Sequence, residues 1–368
     1  MKEAKEILIL SSEFPPQPGG IGNHAYNLAK QLQLQNCKVS VLVDNRSEAG
    51  EEEKVFDEAC VFEVYRIPIT RPRVLMYFSR IRKAFKLARN HKTIIVSGKF
   101  PIWLGAFIKL FYSVKIIAVV HGTEVNFKQT LLRKSIDAAL ARFPKIIAVS
   151  HHTKSLLTET NQLKSVVIPN GIDAQKFNQV KANKKELVGN PKLITVGNVT
   201  HRKGQLNVIR QLSDLATAFP EIHYHSVGIP SCKDEFLKEA IALGVEEKLT
   251  FHGALSDADL KGCLLESTIF VMLSSETDSG DIEGFGIALL EANYLGIPAI
   301  GAKNCGIEDA ILEGKSGHLI VYNNTEAFIE AIQKITIAQE SYQEEAIRWG
   351  NKHQWENVIH EYLKHLQN

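Results

Sequence analysis

Apolar positions in this 368-residue chain gather into short uninterrupted runs, separated by longer stretches in which apolar residues recur at helical spacing. In the first half the runs fall at 6–10 (EILIL), 38–43 (KVSVLV), 60–67 (CVFEVYRI), 93–97 (TIIVS), 114–120 (VKIIAVV), 145–149 (KIIAV) and 165–168 (SVVI). The second half repeats the scheme at 192–197, 222–228, 248–253, 268–273, 297–302 and 317–322. A run that is apolar at nearly every position suits a strand covered on both faces, as in a parallel sheet flanked by helices. Two such series in tandem predict an α/β protein of two doubly wound domains. Pro, Gly, Asn and Lys cluster over 169–192 and mark the join. The expected division is therefore 1–170, 171–350, and an amphipathic helix over 351–368 that packs back on the first domain. Ligands of such sheets bind beyond the carboxyl ends of the strands, so the site is expected in a cleft between the domains.

A chain of this length is too long for one core and suits two. With 45% hydrophobic and 23% charged residues it has the composition of a soluble globular protein. The formal net charge of +2 conceals an asymmetry. Residues 1–180 hold 26 Lys and Arg against 15 Asp and Glu, a net +11; residues 181–368 hold 17 against 26, a net −9. Between Val64 and Thr123 there are twelve basic residues and no acidic one. That points to an anionic partner for the first half: Arg71, Arg73, Arg80, Arg82, Lys83 and Lys86 within 66–92 could meet an anionic membrane surface or hold a charged polysaccharide. No nucleic-acid partner is expected. The five cysteines are scattered, without a close pair, which excludes a CxxC site or a disulfide framework and fits a cytoplasmic protein. The apolar stretch 100–120 is broken by Lys109 and Lys115 and falls short of a membrane span.

Four segments carry candidate chemistry. EGFGIALLE, 283–291, follows a strand and a polar loop. Gly284 and Gly286 allow close backbone approach around Phe285, and a helix beginning at Ile287 offers unpaired N–H groups to an anion such as phosphate. Glu283 precedes that helix, and Glu291 lies about 6 Å along it from Ile287, where a carboxylate can take the two hydroxyls of a ribose. In VGNVTHRKG, 196–204, Asn198, Arg202 and Lys203 follow the first strand of the second half, and the two cations could neutralise a diphosphate. In AVVHGTE, His121 ends a buried strand, where an imidazole can donate to a substrate hydroxyl or move a proton. In the fourth, SSEFPPQPGGIGNHAYNLAKQL, the glycines Gly20 and Gly22 with Ala25 and Asp44 imitate a dinucleotide fingerprint. The fingerprint needs its glycines directly after the strand, however, and here a long, proline-rich, flexible loop intervenes. Asp257 and Asp259 invite a metal reading, but Ser256 three residues before Asp259 makes a better helix start, so no metal is assigned.

Together GDIEGFGIALLEA, HGTEV, IPNGID and HRKGQ resemble the retaining glycosyltransferases of family four, which have the GT-B fold of two Rossmann-like domains facing a cleft. Within that family they are similar to the phosphatidylinositol mannoside mannosyltransferases. The resemblance covers nearly the whole chain. It implies an acceptor-binding first domain and a nucleotide-sugar-binding second domain. By position, Glu283 and Glu291 match the family's pair of glutamates eight residues apart, Glu283 on the donor sugar and Glu291 on the ribose. Arg202 or Lys203 would hold the diphosphate, Gly20 would approach it from the first domain, and His121 would lie by the transferred sugar. Many relatives have Arg where this chain has Asn198.

The resemblance further implies retaining, metal-independent hexosyl transfer with no cofactor beyond the nucleotide-sugar donor. GDP-mannose is the first expectation, then UDP-glucose or UDP-N-acetylglucosamine. The acceptor would be a lipid-linked or cell-envelope glycan, in polysaccharide biosynthesis at the inner face of the plasma membrane. The competing readings are an NAD-dependent oxidoreductase built on the Gly20 segment and a non-catalytic sugar-nucleotide binding protein.

Overall fold

In the computed structural model, which describes residues 5–277 and 280–366, each apolar run becomes a strand. The first seven are β1 (Glu6–Ser11), β2 (Lys38–Asp44), β3 (Glu63–Ile67), β4 (Thr93–Ser97), β5 (Lys115–Val120), β6 (Lys145–Ala148) and β7 (Ser165–Val167). They form one parallel sheet in the order β3-β2-β1-β4-β5-β6-β7. The next six are β8 (Lys192–Val196), β9 (His223–Val227), β10 (Leu249–Gly253), β11 (Ile269–Met272), β12 (Ala299–Ala302) and β13 (Gly317–Ile320). Their parallel sheet has the order β10-β9-β8-β11-β12-β13. Both sheets are thus doubly wound, with helices on the two faces, and the expected fold class holds.

The inner strands explain the runs. Ile7 to Leu10, Ile94 to Val96 and Ile116 to Val120 are all essentially inaccessible to solvent, as are Leu193, Ile194 and Ile269 to Leu273 in the second sheet. Only sheets covered on both faces bury every residue of a strand. The predicted strand 60–67 loses its first three residues, since Cys60 to Phe62 leave the helix Glu51–Glu58 and β3 pairs only from Glu63. The apolar stretch 100–120 splits into a helix, Lys99–Ile108, and β5. Among the described residues no helix is long and apolar enough to cross a membrane.

The chain divides into two compact units: residues up to Gly171 together with those from Trp355 onward, and Ile172–Gln354. In the first unit the last helix, Trp355–Leu366, buries Trp355, Val358, Ile359, Tyr362 and Leu366. It lies against the helix Gly20–Leu34, and Tyr362 Oη sits 2.8 Å from His24 Nε2. In the second unit, Ile172 N–H donates to the His353 carbonyl at 2.9 Å, so the chain enters and leaves this unit at one place.

The order of each sheet reverses beside its first strand, between β1 and β4 and between β8 and β11. Crevices that take ligands open at such points. Gly20 and Ser97 follow or end β1 and β4; Asn198 to Lys203 follow β8, and Glu283 to Glu291 follow β11.

Candidate active site

In the second unit, three sequence elements converge on one carboxylate. Beyond β8 the chain makes a short 3-10 turn, His201–Lys203, which ends at Gly204 in the left-handed region (φ 78°). Ser274, just past β11, donates its hydroxyl to the Arg202 carbonyl and fastens that turn to the neighbouring strand. On the other side Gly306 N–H donates to the Glu283 carbonyl at 2.9 Å. A Cβ at Gly306 would come 1.9 Å from the Gly284 carbonyl oxygen, so only glycine admits this approach.

Held between these supports, Glu283 Oε2 receives both Arg202 Nη1 and Lys203 Nζ, the latter at 2.8 Å. Arg202 also places Nε 3.3 Å from Asp281 Oδ2. Glu283 is only 9% exposed. Burial by itself would raise its pKa, but Lys203 and Arg202 overcome that and, with the Gly286 N–H, hold the carboxyl down at about 2. It is ionised at any physiological pH.

Directly after it, Gly286 (φ 86°) caps the helix Ile287–Tyr294 without any side-chain cap, and no acidic residue stands in the first turn. The first N–H groups of this helix therefore keep their affinity for an anion. Its far end closes as a Schellman motif, with Gly296 N–H to Asn293 and Ile297 N–H to Ala292, each at 2.9 Å. Phe285 is 2% exposed and anchors the loop in the core, with Gly284 partly accessible beside it and Gly286 itself buried. Ile287 is half-buried at the helix start.

Glu291 behaves differently from Glu283. Burial raises its pKa, Lys176 lowers it, and Asp257 opposes Lys176. No ion pair or hydrogen bond reaches its carboxylate from the described residues, and Lys176 itself is turned to Asp257 at 2.9 Å. A half-buried carboxylate with open acceptor positions is suited to the hydroxyls of a sugar. Lys176 and Asp281 were not singled out from the sequence. Both are placed by partners far along the chain, so no local pattern marks them.

Asn198 is exposed, and its backbone carbonyl accepts from Gln205 Nε2 at 3.1 Å. The guanidinium at the carboxylate comes from Arg202 instead. Asp257 and Asp259 are engaged by lysines, Lys176 and Lys185 respectively. Ser256 caps their helix as the sequence suggested, its Oγ accepting from Asp259 N–H at 3.2 Å. Asp278 and Ser279 of the polar loop lie outside the described residues.

In the first unit, His121 follows β5 and its Nε2 lies 3.0 Å from Ser97 Oγ. Its backbone N–H donates to Glu124 Oε2 at 3.0 Å, and its ring meets His24 edge-on at 4.9 Å. Burial lowers its pKa to about 4 against the pull of Glu13, so the imidazole is neutral near pH 7. Gly20 opens the helix Gly20–Leu34 and a Cβ there would touch nothing, whereas Gly22 packs on the Phe14 backbone.

The loop between β1 and this helix is not the loose segment the prolines suggest. Gln17 Nε2 donates to Glu53 Oε1 at 3.0 Å and Arg66 donates to the Pro15 carbonyl, which pins it at two points. Asp44, which a dinucleotide site would need for its ribose, pairs with Arg80 instead. One of the basic residues expected on the surface is thereby neutralised inside.

Comparison with known proteins gives two domain matches. The family described as Glycosyltransferase Family 4 matches residues 18–176, and that described as Glycosyl transferases group 1 matches 176–353. A GDP-mannose-dependent alpha-(1-6)-phosphatidylinositol monomannoside mannosyltransferase of Mycolicibacterium smegmatis is 25% identical over 349 residues, covering 89% of this chain and 88% of that protein. A glycogen synthase of Mycobacterium tuberculosis is 24% identical, covering 84% and 81%. Among solved structures, Anabaena Alr3699/HepE in complex with UDP superposes with a TM-score of 0.78 at 18% identity over 98% of this chain and 99% of that one.

Proposed function

The chain belongs to family four of the glycosyltransferases, and we propose that it moves a hexosyl group, with retention and without a catalytic metal, from GDP-mannose to a lipid-linked or cell-envelope glycan. The observation that carries this reading is the sharing of Glu283 by Arg202 and Lys203 beside an uncapped helix N-terminus, with Glu291 left open further along the same helix. A nucleotide-diphosphate sugar offers a matching sequence of groups: a sugar for Glu283, a diphosphate for the cations and the helix N–H groups, a ribose for Glu291. Mannose as the sugar is supported by the relatives named GDP-mannose-dependent. The alternative base, uracil, is supported by the structural neighbour solved with UDP-glucose.

In the transfer the anomeric C–O bond to the diphosphate breaks. Arg202, Lys203 and the first N–H groups of the helix Ile287–Tyr294 take up the charge that develops on the leaving oxygen. The acceptor hydroxyl forms the new bond on the same face, and its proton goes to the departing phosphate. Glu283 keeps its ionised carboxylate toward the sugar. His121, neutral, serves as a hydrogen-bonding group and not as a fixed cation.

A thermal-shift screen against UDP-, GDP- and ADP-sugars tests the donor. GDP-mannose at about 100 times its dissociation constant should stabilise the protein by about 2.7 kcal/mol, and Glu291→Ala should lose most of that. Stabilisation by the UDP series alone would replace the base; no shift with any nucleotide would remove the donor site.

The acceptor side favours a membrane surface. On the helix Arg73–Ala88, Val74, Leu75 and Phe78 are exposed, as are Phe107, Leu110 and Phe111 in and just after the helix Lys99–Ile108 of the same unit. Arg73, Arg82, Lys86 and Arg89 stand exposed among or beside them. Apolar side chains interleaved with cations suit the headgroup region of an anionic bilayer. Vesicles containing anionic lipid should sediment several-fold more protein than neutral ones, and 0.5 M salt (about a 4 Å screening length) should reduce that excess. Equal sedimentation with both vesicles would exclude this surface.

A further inference from the structure

His201, Cys232 and Glu235 bring three different metal-binding groups together in the second unit, with their ligand atoms all within 4.8 Å of one another. We propose that they form a zinc site that fixes the turn carrying Arg202 and Lys203. The three side chains come from two segments. His201 begins the 3-10 turn after β8, while Cys232 and Glu235 stand three apart at the start of the helix Lys233–Ala242. Cys232 is the residue that precedes this helix and Glu235 stands in its first turn, which brings the thiol and the carboxylate to the same end of it. His201 Nε2 already reaches the Glu235 carboxylate at 3.2 Å, and its ring stands edge-on to Phe236 at 5.2 Å.

The Cys232 thiol, half-buried at the edge of this group, makes no hydrogen bond to any described residue, while its backbone N–H holds the Val199 carbonyl at 3.0 Å. That backbone bond keeps the helix start beside the β8 turn, and with it the thiol beside His201. His201 and Glu235 are exposed, so small side-chain rotations bring all three groups to the ~2.0–2.3 Å that zinc requires. A thiolate, an imidazole and a carboxylate suit Zn²⁺ and are poor ligands for Mg²⁺ or Ca²⁺. Water completes the tetrahedron.

The ion takes no part in the sugar transfer, because its ligands are not the groups that meet the donor. Its effect is mechanical. His201 immediately precedes Arg202 and Lys203, and a bond from Nε2 to an ion tied to another helix removes freedom from the turn. The donor would then meet cations already held in place, a gain in preorganisation.

The test uses untagged full-length protein, stripped with chelator and titrated with ZnCl2 against a chromophoric competitor. One equivalent should bind, with about tenfold or greater weakening in both Cys232→Ser and His201→Ala. CoCl2 should give a thiolate-to-metal absorption band that Cys232→Ser abolishes, and excess MgCl2 should not displace the ion. His201→Ala changes an exposed side chain, so it retains the fold even if Cys232→Ser does not. Absence of stoichiometric binding overturns the site, as does binding that both variants retain unchanged. Neither result bears on nucleotide binding, which the thermal-shift screen reads separately.

Discussion

Glu283→Ala should lower the rate of sugar transfer by about 10²–10³-fold or more while the protein stays folded, the loss expected when one preorganised electrostatic group of a site is removed. The variant leaves Arg202 and Lys203 without their shared counter-ion. Those cations are 30% and 16% exposed in their side chains and can turn to water or to Asp281, so unfolding is not the expected outcome. The free nucleoside diphosphate should bind Glu283→Ala at least as well as the parent, because its anionic oxygens no longer compete with a carboxylate for the same cations. Loss of turnover with retained diphosphate binding is the signature sought, by initial rates and by titration on one preparation. Turnover at the parent rate would remove Glu283 from the mechanism.

The pH dependence has a definite sign. Glu283 has a folded pKa of about 2, below the 4.5 of an ordinary glutamate. The stability it contributes is full above pH 4.5 and is lost as the pH falls toward 2. No inflection near neutrality should come from this group.

Gly204→Ala should destabilise the protein by several kcal/mol and disable donor binding with it. Two costs act together. The backbone at 204 is left-handed (φ 78°), which costs a residue with a side chain about 1–2 kcal/mol. The added Cβ would also lie 2.1 Å from both the carbonyl carbon and the oxygen of Leu273, backbone atoms that cannot swing aside. Relief requires moving β11 away from the turn, and forced shifts of this kind cost about 1–3 kcal/mol more. The same movement breaks the Ser274 bond to the Arg202 carbonyl and withdraws the cations from Glu283. Gly244 separates the two costs, since its φ is 65° but a Cβ there meets nothing within 4 Å. Gly244→Ala should therefore lose only the conformational part and keep donor binding. Equal melting temperatures for the two variants would show that the contact with Leu273 yields.

The strands were legible because covered parallel strands write their burial as unbroken apolar runs. Ser256 was legible as a helix start, because a hydroxyl just before the first turn can accept from a backbone N–H that the helix leaves unpaired. The segment holding Glu283 could likewise be found, since its glycines, helix start and second carboxylate are close in sequence. What the sequence left dark is whatever depends on chain segments meeting. The sharing of Glu283 by Arg202 and Lys203 joins positions about eighty residues apart, and the approach of Gly306 to Gly284 is a matter of packing. Prolines in 12–19 suggested looseness, because the Gln17–Glu53 and Arg66–Pro15 bonds that hold this loop have no local sequence mark. Arg80 read as surface charge for the same reason, its partner Asp44 lying on another strand.

Each unit closes its own seam where the chain passes between them. Ile172 is bonded to His353 within the second unit, and in the first a Cβ on Gly171 would lie 2.7 Å from the Trp355 ring. The entrance and exit of residues 172–354 therefore sit side by side, and the segment has the topology of a cassette spliced into a host. A peptide of one or two residues from Gly171 to Trp355 would reseal the host, and the excised cassette would contain the whole of the second sheet with Arg202, Lys203, Glu283 and Glu291. On the reading proposed above, in which residues 172–354 hold the donor, exchange of such cassettes between relatives would change the sugar delivered without redesigning the half that receives it, diversifying one architecture by recombination as well as by point substitution.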